Sequence, residues 1–312
     1  MSAVAGPEAA QYEALTEWAK VPADVNVVEV PGIAVDSENN VYVLTRGNVP
    51  LLVFDEGGNF LRSFGEGVFT SRAHGISISP DDTIYCADDG THTITKWSTD
   101  GKLLMTLGTP NQPAKKWSGI PFNRPTHAVV SPKTGHLYVS DGYGNSHIHK
   151  FTPDGQLLKT WGGPGVDPGQ FIRPHDIIID EDERLYVADR ENQRVQVFDT
   201  DGNHLVTFHD IHRPAGLALG PNGTILVGEL CGIDDAPGLG HRVSIVDRAT
   251  GQTLSRFGDP DDGDTPGKFI APHCITMDHK GDLYVGEVSF TMKGKRLDPP
   301  RTFNAIRKLR KA

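Results

Sequence analysis

Apolar residues along this chain come in short runs, such as Ile177-Ile178-Ile179 and Leu185-Tyr186-Val187, separated by clusters of Gly, Pro, Asp and Asn. That punctuation predicts many short strands joined by tight turns. The runs also recur in a fixed order. Residues 135–162 (GHLYVSDGYGNSHIHKFTPDGQLLKTWG) align with 183–208 and with 82–108, and weaker copies lie at 39–65, 223–258 and 281–312. Each copy reads as an apolar strand, a turn, a strand of the LYVAD type, a polar loop, a third strand, a turn and a fourth strand. Asp100-Gly101, Asp154-Gly155 and Asp201-Gly202 mark the last turn as a hairpin.

Six copies of a four-stranded unit predict an all-β fold, a six-bladed β-propeller filling residues 1–312 as a single domain. The blades are expected at about 24–65, 66–108, 120–162, 170–208, 211–258 and 268–312. The sixth copy stops after its third strand, and residues 12–19 (YEALTEWA) resemble the fourth strands of the other copies. They are predicted to complete blade 6 and so remove an open sheet edge. The competing expectation is a short helix, because Glu, Ala and Leu favour one.

The repeat makes positions comparable between blades. Five residues before the end of each first strand stand Pro31, His74, Thr126, His175, Ala215 and His273. Blades 2, 4 and 6 therefore carry histidine at one register. First strands line the channel of a propeller, and alternate blades lie roughly 120° apart about its axis. Three imidazoles would meet there as the N₃ set of a zinc ion with an open fourth position, with Fe, Cu or Mn as alternatives. His127 is one residue out of register. The two-residue period of a strand turns it to the other face, so it is excluded as a ligand.

Composition narrows the function. Hydrophobic residues are only 37 % of the chain, while Gly (35) and Pro (22) are abundant, which suits short strands. The net charge of −10 argues against nucleic-acid and anionic membrane partners. Three scattered cysteines imply no disulfide framework, and the N-terminus lacks a signal-peptide pattern, so a cytoplasmic protein is expected. No apolar stretch is long enough to span a membrane.

Three loops that follow second strands carry further candidates: Arg46 (VLTRGN), Tyr143 (VSDGYGNS) and Arg190 (VADRENQR). The set AHGIS, SDGYGNS, IRPHD, ADRENQR and APHC, in this order within NHL-type repeats, resembles peptidyl-α-hydroxyglycine α-amidating lyase. The resemblance is good over blades 1 to 4, partial in blade 6 and poor in blade 5. It implies a six-bladed propeller with His74, His175 and His273 on zinc, Tyr143 as the catalytic tyrosine, and Arg190 and Arg46 as the arginines of the site. The family also holds a calcium, partly through an Asp just after the third histidine. Cys274 stands there, and a thiol is a poor calcium ligand, which argues against calcium.

Glu229 and Glu287 replace the Asp or Thr of the other blades and are candidates for orienting a histidine from behind; bonds between blades are the plainer expectation. The insertion 231–241 and the segment 290–303 are expected to rim the pocket. The function expected is a zinc-dependent lyase, monomeric, acting on a small-molecule or short-peptide carbinolamide. A metal-dependent hydrolase of the lactonase or esterase type and a non-catalytic interaction propeller are the alternatives.

Overall fold

A computed structural model describes residues 12–15, 17–232, 239–259 and 261–312. The fold is an all-β, six-bladed propeller of six four-stranded antiparallel sheets. Helix among the described residues is confined to short segments such as Ser289–Met292 and the 3₁₀ turn Arg190–Asn192. The chain divides into two compact units, 67–209 and 1–66 with 210–312.

The first unit holds blades 2, 3 and 4. Their strands are Ala73–Ile78, Ile84–Asp88, Thr93–Trp97 and Leu103–Leu107; His127–Val130, Leu137–Asp141, His147–Phe151 and Leu157–Gly162; Pro174–Ile179, Leu185–Asp189, Arg194–Phe198 and His204–Phe208. All three second strands are buried throughout, whereas the fourth strands expose Leu103, Leu104, Leu157, Leu158 and Leu205. Neighbouring sheets share cores. Tyr85, Ala87 and Ile94 of blade 2 pack on Ala128, Leu137 and Val139 of blade 3. Tyr138 and Ile148 pack on Ile177, Leu185 and Val187 of blade 4. Each large apolar side chain so buried contributes about 2–3 kcal/mol.

The second unit holds blades 1, 5 and 6. Blade 6 runs Pro272–Met277, Leu283–Glu287, Ile306–Lys311 and then Tyr12–Leu15, which pairs antiparallel with Ile306–Lys311 from Tyr12 opposite Lys311 to Leu15 opposite Lys308. The N-terminal segment thus closes the last blade as a strand. Pairing with an otherwise open edge outweighs the helical preference of Glu13, Ala14 and Leu15. The strand ends at Leu15, and Trp18 leaves it to pack against Tyr284 (centroids 5.0 Å apart) and Phe54 (5.7 Å).

One turn recurs because one residue type builds it. Asp36, Asp180 and Asp278 end first strands and accept backbone N–H groups two and four residues on, while Tyr42, Tyr186 and Tyr284 donate their hydroxyls to the same carboxylates at 2.9–3.1 Å. Burial and then Asp36 push the Tyr42 hydroxyl's pKa up, which keeps it a donor.

Candidate metal centre

His74 lies on the first strand of blade 2 and His175 on that of blade 4, both essentially buried. Nδ1 of His74 is 2.8 Å from the carbonyl of Thr126. A carbonyl only accepts, so Nδ1 carries the hydrogen and Nε2 presents a lone pair. The rings of His74 and His175 meet edge to face, centroids 4.6 Å apart. Thr126 is the register-equivalent residue of blade 3. Its hydroxyl lies 2.9 Å from the carbonyl of Pro174, the residue before His175. One side chain and its own carbonyl therefore fix the settings of both histidines.

His273, in the other unit, is held in the same way. Its Nδ1 is 2.8 Å from the carbonyl of Pro31, the register-equivalent residue of blade 1. The ligand nitrogens of His74 and His175, within one unit, lie within 4.8 Å of each other, and both buried histidines can offer a nitrogen to a metal ion. His127 is turned away from them, with Nδ1 2.6 Å from Asp176 and Nε2 3.0 Å from the carbonyl of Ile76.

Tyr143 follows Gly142 in the loop after the second strand of blade 3. A Cβ at Gly142 would stand 1.9 Å from the carbonyl of Pro174, so only glycine lets this loop pass so close to blade 4. The Tyr143 hydroxyl lies 3.0 Å from Nε2 of His74 and 3.0 Å from Nε2 of His175. Arg190 donates to the same oxygen at 3.3 Å and to Glu191 at 3.0 Å. Burial works against the charge on Arg190, but Tyr143 and Glu191 outweigh it and hold its pKa above the ordinary value.

These donors fit a small divalent ion. An all-imidazole set suits zinc, copper or iron and not calcium. Cys274 is half-buried, its thiol 3.7 Å from the carbonyl of Val30.

Glu229 and Glu287, candidates for orienting a histidine with a structural role as the plainer expectation, bond within their own blades. Glu229 accepts the N–H of His212 and bonds Arg242 and Ser244. Glu287 accepts the N–H groups of Ile270 and Ala271 and bonds Arg307. Asp88, Asp141 and Asp189 do the same at the ends of the other second strands, taking the N–H groups of Thr70, Asn123 and Ile172. The acid at this position anchors the loop entering the first strand. Backbone carbonyls, not carboxylates, orient the imidazoles of His74 and His273.

Arg46 pairs with Glu29 at 2.8 Å, and Glu29 also takes the N–H and hydroxyl of Thr291. Thr291 belongs to the segment 290–303, which is thereby tied to blade 1. Of the blade-5 insertion 231–241, residues 233–238 lie outside the described residues. Sequence reasoning missed Arg124, whose guanidinium sits 4.7 Å from the centroid of the Tyr143 ring, nearer than that of Arg190 at 5.4 Å. The signal was present: two residues before the histidine register, blades 2, 3, 4 and 5 carry Arg72, Arg124, Arg173 and Arg213.

A propeller with three buried histidines at one register defines the class. The NHL repeat family model matches residues 122–151 and 171–198. Human NHL repeat-containing protein 3 is 33 % identical over 278 residues, 82 % of this chain and 76 % of that protein, and the chain belongs to this family of NHL-repeat propellers. A probable peptidyl-alpha-hydroxyglycine alpha-amidating lyase of Caenorhabditis elegans is 34 % identical over 155 residues, covering 48 % of this chain and 43 % of the relative. A solved streptogramin B lyase shares the fold, with a TM-score of 0.64 at 15 % identity over 96 % of this chain and 97 % of that one.

Proposed function

We propose that this chain is a metal-dependent lyase that splits the C–N bond of an α-hydroxyglycine or similar carbinolamide, releasing glyoxylate and an amide. The observation that carries the reading is the Tyr143 hydroxyl, 3.0 Å from Nε2 of His74 and from Nε2 of His175 and bonded by Arg190. Similarity to an amidating lyase over half the chain supports it. His74, His175 and His273 would hold the ion, zinc being first choice for three imidazoles. A metal bound there supplies a Lewis acid that favours negative charge on the substrate's hydroxyl oxygen.

The chain's own groups handle the protons. Breaking the carbinolamide moves one proton from oxygen to nitrogen while the C–O bond becomes double. Tyr143 gives its phenolic proton to the amide nitrogen as the C–N bond breaks, and the phenolate so formed takes the hydroxyl proton, so it ends as it began. Arg190 and Arg124 flank its ring, and a phenolate formed during transfer meets a cation on either hand. Arg46, paired with Glu29, is a further guanidinium of the proposed site. A hydrolase on the same scaffold has no need of a proton donor for nitrogen, and the placing of Tyr143 favours the lyase.

Two measurements test this. Elemental analysis of the purified protein should find about one zinc per chain. Incubation of the zinc-loaded protein with α-hydroxyhippurate should release glyoxylate and benzamide in equal amounts. A metal-loaded sample that yields no glyoxylate overturns the lyase reading.

A further inference from the structure

Four guanidinium groups and two carboxylates gather around Tyr143 within residues 67–209. Asp89 is shared by Arg72 (Nη2 to Oδ2, 2.9 Å) and Arg124 (Nη2 to Oδ2, 3.3 Å). Glu191 is shared by Arg190 (3.0 Å) and Arg173 (3.4 Å). Each set pairs two guanidinium groups with one carboxylate, so neither carboxylate neutralises both of its partners.

The four arginines are not equally free. Arg190 is buried and spends its Nε on Glu191 and Nη1 on Tyr143. Arg72 grips Asp89 through Nε and Nη2. Among the described residues, the side-chain hydrogen bond of Arg124 is a long one, 3.3 Å, to a carboxylate that Arg72 already holds, and its buried Nε has no hydrogen-bond partner. Its side chain is 36 % exposed. Arg124 is thus the cation that both touches the Tyr143 ring and faces solvent. Its backbone is fixed: φ is +65°, its N–H donates to Nδ1 of His92, and its carbonyl accepts the N–H of Tyr143. The same left-handed setting before a proline recurs at Arg173 and Arg213, so it belongs to the repeat and fixes where each of these arginines starts.

We propose that Arg124, backed by Arg72 through their shared Asp89, binds the carboxylate of the substrate and makes this a site for anionic carbinolamides. This rests on the lyase reading for which carboxylate is bound, but not for the existence of the anion site. Arg124 is a specificity-determining residue, and Tyr143 moves the protons.

The test uses two unreactive probes, hippurate and its neutral amide, titrated calorimetrically into the metal-loaded protein. Wild type should prefer hippurate. Arg124→Gln should weaken hippurate about ten- to a hundred-fold, the loss of one charge-assisted hydrogen bond, and leave the amide unchanged. Arg124→Lys, which keeps the charge without the fork, should restore part of the preference. An unaltered melting temperature shows that the variants fold. If hippurate preference collapses in Arg124→Gln but wild type releases no glyoxylate from α-hydroxyhippurate, the anion site stands and the lyase reading falls. If wild type turns over α-hydroxyhippurate and Arg124→Gln leaves KM and hippurate affinity unchanged, the lyase reading stands and this inference is wrong. Failure of wild type to prefer hippurate also overturns it.

Discussion

His127 offers a prediction whose sign and size follow from the structure. Its Nδ1 faces Asp176 at 2.6 Å, and its Nε2 faces the carbonyl of Ile76 at 3.0 Å. Both neighbours accept, so both ring nitrogens carry hydrogen and the ring is a cation. Burial alone would lower its pKa, but the charge of Asp176 and the hydrogen bonds raise it to about 9 from an ordinary 6.5. The side chains are only 15 % and 10 % exposed, so water screens the pair little. A raised pKa means that the folded chain holds the proton more tightly than the unfolded one. The stabilisation is complete below pH 6.5 and disappears as pH rises through 9. A shift of about 2.5 units corresponds to about 3 kcal/mol. His127→Gln keeps one donor and removes the charge. Urea unfolding at pH 6, 8 and 10, with chelator present so that metal binding at His175 does not contribute, should show a deficit of about 3 kcal/mol at pH 6. The deficit should shrink to below about 1 kcal/mol at pH 10. A deficit that is constant from pH 6 to 10 would refute the reasoning, because it would mean that His127 is neutral in the folded chain.

The remaining expectations concern the residues that build the site. Tyr143→Phe should lower kcat for glyoxylate release by roughly 10²- to 10⁴-fold with little change in KM or bound zinc, as loss of a proton-transfer group does. Thr126→Val keeps the carbonyl on His74 but loses the hydroxyl on Pro174; zinc affinity measured by competition with a chelator should fall by about 10- to 100-fold. Gly142→Ala places a methyl 1.9 Å from the Pro174 carbonyl and should cost more than about 2 kcal/mol in thermal or urea unfolding. Gly169→Ala, where φ is +83° but nothing lies within 4 Å, should cost only about 1 kcal/mol and serves as the control.

How much of this was legible in the sequence depended on how local each feature is. Strand order and the closing strand could be read because each blade repeats its own turn chemistry, and Asp36, Asp180 and Asp278 act within six residues of themselves. The histidine register could be read because a period of two residues fixes which side chains share a face. The roles of Glu229 and Glu287 could not. Sequence places them at the ends of second strands, but what they accept is a backbone N–H about 17 residues earlier, from a loop whose path only the fold defines. The charge sharing around Tyr143 was hidden for the same reason, since Arg124 reaches Asp89 across 35 residues.

The off-register residue carries the further lesson. His127 was excluded as a ligand by its phase, and the same phase places Asp176 on the matching face of the next blade, directly after the ligand candidate His175. Adjacent residues of one strand thus serve two neighbouring layers: the in-register face gathers imidazole lone pairs, and the out-of-register face pairs an imidazolium with a carboxylate. The second layer constrains the first. Asp176 cannot move without breaking a buried ion pair, and His175 is its covalent neighbour. Thr126 and His127 repeat the arrangement one blade earlier, Thr126 holding His74 and Pro174 while His127 holds Asp176 and Ile76. The blade that gives no imidazole to the in-register set therefore fixes the two histidines beside it, which is why its Thr-His pair matters as much to the site as the Pro-His pair it aligns.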